Sequence, residues 1–75
     1  MSKLPLLKAK EISKMLLKMG FVFKRQKGSH MFYEHPDGRT TIIPNHQGED
    51  IDRGLLSKII REDLKMEKDE FIKQR

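Results

Sequence analysis

Apolar residues recur at Ile12, Met15, Leu16 and Met19, the i, i+3, i+4, i+7 spacing of an amphipathic helix. Lys10, Ser13, Lys14 and Lys18 fall largely on the opposite side, so the pattern predicts a helix over Lys8 to Met19. Gly20 supplies the left-handed residue that ends many helices, and Phe21 is placed to fold back on it. The period then changes. Phe21 to Arg25 is aromatic and β-branched at its start and predicts a strand, followed by a turn over Gln26-Lys27-Gly28-Ser29. His30 to His35 predicts a second strand, and His35-Pro36-Asp37-Gly38 has the chemistry of a tight turn. Arg39 to Ile43 predicts a third strand, closed by Pro44, which has no N–H to give to a ladder.

Asn45 to Ile51 is polar and predicts a loop, leading to an N-cap at Asp52 in preference to Asp50. The helical period returns at Leu55, Leu56, Ile59, Ile60 and Leu64, with Lys58, Arg61 and Glu62 turned to solvent. Met66 to Arg75 is highly charged, with Phe71 and Ile72 as its later anchors; it reads as a short third helix or, failing that, a charged tail. The expected architecture is α+β in the order α-β-β-β-α. A three-stranded antiparallel sheet carries both helices on one face and leaves the other wet, as in the double-stranded-RNA-binding fold.

Seventy-five residues make one domain, 1–75, with a core over about 8–64 and a charged C-terminal extension over 65–75. That is close to the lower limit at which a single apolar core suffices. The chain has no cysteine, so there is neither a disulfide framework nor a thiolate metal site. No apolar run approaches the roughly 20 residues of a membrane span. Met1 to Lys8, interrupted by Pro5, is too short for a signal peptide. A soluble, cytoplasmic protein is expected. Lysine and arginine outnumber aspartate and glutamate 16 to 11, a net charge of +5 that favours a nucleic acid or an acidic protein as partner.

Candidate chemistry gathers at Gly28-Ser29-His30-Met31-Phe32-Tyr33. Histidine is the side chain that both gives and takes a proton near neutral pH, and Lys24, Arg25 and Lys27 lie just upstream, where an anion is held. Ser29 either bonds a phosphate oxygen or shapes the turn. His46 is a candidate assisting group. In a regular strand Phe32 shares the face of His30, while Tyr33 and His35 point the other way, so at least one of Phe32 and Tyr33 is expected in the core. His30, His35 and His46 show no metal-ligand spacing, and neither metal nor other cofactor is expected.

An ordered set of motifs then carries a resemblance: Leu16-Leu17-Lys18-Met19-Gly20-Phe21, Arg25-Gln26-Lys27-Gly28-Ser29-His30, His35-Pro36-Asp37-Gly38-Arg39, Ile43-Pro44-Asn45-His46, and Leu56 through Ile60. Together, from about Lys8 to Leu64, they resemble the HicA family of mRNA interferase toxins from type II toxin–antitoxin systems. The chain departs from many relatives at Leu55, where they carry a small hydroxyl residue after the glycine that opens the second helix. The resemblance implies a small, metal-independent endoribonuclease that cleaves mRNA and is silenced by a HicB-like antitoxin. It also implies that His30, in Gly28-Ser29-His30, is the catalytic histidine. The residues taken alone leave two other readings: a non-catalytic RNA-binding module, and a protein-binding domain for an acidic partner.

Overall fold

The computed structural model describes residues 4–46 and 48–75. Met1 to Lys3, at the start of the expected non-signal segment, and Gln47, within the expected 45–51 loop, lie outside the described residues. Helix α1 spans Ala9–Lys18 and buries Ala9, Ile12, Met15 and Leu16. Its first turn is closed by the Glu11 carboxylate, which accepts from the Lys8 N–H at 3.2 Å. Its last turn closes as the sequence predicts: Gly20 takes φ +98°, and the Phe21 N–H reaches back to the Leu16 carbonyl at 2.9 Å.

Strands β1 (Val22–Lys27), β2 (His30–Glu34) and β3 (Thr40–Pro44) form one antiparallel sheet in the order β1-β2-β3. Gln26 and Lys27 are strand residues here, not turn residues. The β1–β2 turn is only Gly28-Ser29, because Gly28 at φ +59° supplies the positive angle that a two-residue hairpin turn asks of its first residue. Each residue the turn gives up extends the ladder, so Lys27 pairs with His30 and Gln26 with Met31. The β2–β3 turn is the predicted His35-Pro36-Asp37-Gly38, with the Gly38 N–H bonded to the His35 carbonyl at 2.9 Å.

One face of the sheet belongs to the core. Met31 and Tyr33 of β2 and Thr41 and Ile43 of β3 are buried, while His30, Thr40 and Ile42 between them are exposed. The helices cover the buried face, as expected of an α+β sheet with one wet side.

Helix α2 (Arg53–Lys58) is capped by the Asp52 carboxylate, which accepts from the Leu55 N–H at 3.0 Å. It continues as a π-helical turn over Ile59–Asp63, where the Leu64 N–H reaches the Ile59 carbonyl at 2.9 Å. Of the predicted stripe, Leu56, Ile59, Ile60 and Leu64 are buried, whereas Leu55 is exposed at the stripe's edge. On a regular helix Asp63 falls between Ile59 and Ile60 on the core side. The structure accommodates it by a hydrogen bond from the buried Thr41 hydroxyl at 2.9 Å, which satisfies both polar groups. Lys65 then ends the run in the left-handed region at φ +54°.

Two segments outside the predicted stripes also enter the core. Leu4 and Leu7 are buried ahead of α1, held by hydrogen bonds from Arg53 to the Leu4 carbonyl and from the Ile51 N–H to the Leu7 carbonyl, both at 2.8 Å. Helix α3 (Lys68–Ile72) is the expected short third helix, and its Phe71 is fully buried. No helix among the described residues is long and apolar enough to cross a membrane.

Candidate functional site

The open face of the sheet is built by register. Residues directly opposite one another in an antiparallel pair share a face. Lys27, His30 and Pro44 therefore form one row across the three strands, and Arg25, Phe32 and Ile42 form the next. Strict alternation along β1 would put Lys24 on one face and Arg25 with Lys27 on the other. A β-bulge between Phe23 and Arg25 changes this. It sets Phe23 in place of Lys24 opposite Tyr33, so that Lys24, the extra residue, reaches Glu34 at 3.4 Å, while the two-residue turn by itself puts Arg25 and Lys27 in phase with His30. All three upstream cations thus serve the face of His30. The bulge that takes Lys24 out of the ladder is a backbone feature that no residue pattern announced.

His30 is exposed at the head of β2, one residue from the turn. Its backbone is fixed on both sides, by Lys27 and by Pro44, and the Ser29 carbonyl accepts from the Asn45 N–H to close the end of the sheet. Among the described residues nothing bonds its ring. Ser29 is half-buried within the turn, beside His30, and lies in the chain between the imidazole and Gly28.

His35 is a different kind of histidine. Its Nε2 lies 3.0 Å from the Met19 carbonyl, which can only accept, so Nε2 carries a proton; Nδ1 lies 3.1 Å from the Asp37 N–H and 3.0 Å from the Asp37 Oδ1. The ring also packs edge-on against Phe21 at 5.0 Å between centroids. Both nitrogens are committed to joining the end of α1 to the β2–β3 turn, and a Cβ on Gly20 would lie 3.0 Å from that Nε2. In the same turn Asp37 accepts from the Arg39 backbone N–H at 3.0 Å and from its guanidinium at 2.8 Å. The backbone bond foremost, with the guanidinium, holds the Asp37 carboxyl below the ordinary carboxylate range.

His46 stands apart from His30. It lines a cleft with Gln26, Asn45, Lys10 and the core-facing residues Met31 and Tyr33, on the helix side of the sheet. The structure therefore brings Arg25, Lys27 and His30 to one face beside the Gly28-Ser29 turn, with Lys24 farther along β1 toward Glu34, and sets His46 in the cleft on the helix side. Of the two aromatic residues that follow His30, Tyr33 is the core residue. Phe32 is only partly buried, on the face of His30, with the Arg25 guanidinium 4.8 Å from its ring centre.

A family model described as the HicA toxin of bacterial toxin–antitoxin matches residues 9–64, from the start of α1 to the end of the π-helical turn. The chain belongs to the HicA toxin family. No curated protein matches it. As a HicA family member it is a toxin of a toxin–antitoxin system, and membership implies a HicB-type antitoxin as its partner. The matched span contains the whole sheet and the turn that carries His30, while Leu4, Leu7 and Phe71 of the core lie outside it.

Proposed function

We propose that this HicA toxin is a metal-independent endoribonuclease that cleaves mRNA, with His30 as its general acid/base. The observation that carries the reading is the row Lys27-His30, an exposed imidazole free of partners among the described residues and set directly across from a cation. RNA brings its own nucleophile, the 2′-hydroxyl. In the proposed reaction the 2′-oxygen attacks the adjoining phosphorus and the bond to the 5′-oxygen breaks. The products are a 2′,3′-cyclic phosphate and a free 5′-hydroxyl. His30 takes the 2′-proton as base or supplies a proton to the departing 5′-oxygen as acid. Lys27 and Arg25 hold the phosphate, and Lys24, although paired with Glu34, adds to the positive field of the same face. Ser29 offers its hydroxyl to a phosphate oxygen from the turn. The αβββα order, that of the double-stranded-RNA-binding fold, supports RNA as the substrate class, and the HicB-type antitoxin silences the enzyme by covering this face.

The carboxylates nearest this face argue against a nuclease metal. Such an ion needs open coordination positions held by carboxylates or imidazoles. Glu34 is taken by Lys24, and Asp37 by its own turn and Arg39. Cleavage of a single-stranded RNA by the purified toxin is expected to proceed unchanged in excess EDTA and to fall as added salt screens the phosphate contacts. Activity lost in EDTA and restored by magnesium would overturn the imidazole mechanism.

A further inference from the structure

The two rows on the open face also read along the strands. β1 contributes a ridge of cations, Arg25 and Lys27; β2 contributes an aromatic ring and an imidazole, Phe32 and His30; β3 contributes two apolar groups, Ile42 and Pro44. Neighbouring strands lie about 4.8 Å apart and alternate residues of one strand roughly 7 Å apart, the scale of a nucleotide laid across the sheet. We infer that Phe32, together with the Arg25 guanidinium over it, seats the nucleobase adjoining the scissile phosphate. A single strand of RNA then runs along β1 and β2, with phosphates over Arg25 and Lys27 and bases turned toward Phe32 and Ile42. This inference rests on the endoribonuclease reading and adds a positioning residue to it.

Three observations carry the assignment. Phe32 is not needed by the core, which lies on the other side of the sheet and takes Met31 and Tyr33 from the same strand. Its surroundings are apolar for a wet face, with Ile42, 44% exposed, directly across from the partly buried ring and Val22, 50% exposed, farther along the same face; such patches mark interaction sites. Finally, the patch is bordered by Lys24, Arg25 and Lys27 against one acid, Glu34, whose charge Lys24 already balances. A planar guanidinium 4.8 Å above an aromatic ring is a surface on which a base stacks whatever its sequence, and a net-positive border suits the phosphates on either side. The two-residue Gly28-Ser29 turn makes the combination, since it sets Lys27 opposite His30 and, two residues on, Arg25 opposite Phe32.

The test compares wild type, Phe32→Leu, Phe32→Tyr and Arg25→Gln in steady-state cleavage of a single-stranded RNA. The same RNA is also made with one abasic nucleotide placed in turn on either side of the cleavage point. Loss of one stacked base is expected to raise KM by roughly ten- to a hundredfold in Phe32→Leu, with kcat far less affected, and Phe32→Tyr should restore KM. Arg25→Gln should raise KM in the same direction. One of the two abasic substitutions should weaken wild type by a similar factor while leaving Phe32→Leu almost unchanged. Abasic RNAs that wild type cleaves as well as the intact strand would overturn the inference without any variant having to fold. Equal KM for Phe32→Leu and wild type would do the same while leaving the endoribonuclease reading intact. Loss of antitoxin binding alone in Phe32→Leu, with cleavage unchanged, would reassign the patch to the protein partner. Failure of wild type to cleave RNA under any condition would instead remove the reading on which the inference stands.

Discussion

Replacing His30 with alanine is expected to lower RNA cleavage by about a hundredfold to ten-thousandfold and to relieve growth inhibition, with almost no change in thermal midpoint. The separation of the two effects follows from where the side chain sits. His30 is exposed and fixed by its backbone alone, so removing its ring deletes no packing and, among the described residues, no hydrogen bond. Its strand neighbours keep their register through Lys27 and Pro44. His35 provides the internal contrast, because its ring joins Met19 to Asp37 and packs against Phe21, and its removal is felt by the fold. Cleavage and thermal unfolding measured on the same preparation of His30→Ala decide the matter. Full activity, or unfolding that accounts for the loss, would show that His30 is not a catalytic group.

Phe71→Ala is expected to have the largest effect on stability, about 3–5 kcal/mol, the range for truncating a buried aromatic residue. The ring is fully buried, yet it stands on a five-residue helix that could not form alone, so its contacts and the order of α3 are lost together. Against the roughly 5–15 kcal/mol that separates folded from unfolded domains, such a loss leaves a 75-residue chain barely folded at room temperature. Urea unfolding followed by circular dichroism measures it. A midpoint within a few tenths molar of wild type would mean that Phe71 is not the core residue described above.

The elements were legible in the sequence because each rests on local chemistry. The spacing of Ile12, Met15, Leu16 and Met19 sufficed for α1, Gly20 for its end, Asp52 for the start of α2, and Pro36-Asp37-Gly38 for the second turn. Burial across strands was less legible. That Tyr33 and not Phe32 enters the core depends on which face the helices cover, and alternation alone leaves that choice open. The length of β1 depended on how little turn Gly28 needs, and the bulge at Lys24 on a register set by β2. Leu4 and Leu7 could not be assigned from periodicity, since their segment is too short to show one, whereas Phe71 stood out as an apolar anchor in a charged stretch and is buried. The same limit applies to the site. The motif around His30 named the imidazole and its cations, but only the register places Arg25 beside Phe32 and sets His46 on the helix side.

The central claim is that the imidazole of His30 acts on a nucleophile supplied by the RNA itself. It is tested most directly by one substitution in the substrate. An RNA oligonucleotide with a single 2′-deoxy nucleotide at the mapped cleavage position is incubated with the wild-type toxin beside its all-ribose counterpart, and the products are resolved by mass. The account predicts no cut at the deoxy position, and a 2′,3′-cyclic phosphate with a 5′-hydroxyl at the ribose one. Undiminished cleavage at the deoxy position would contradict it.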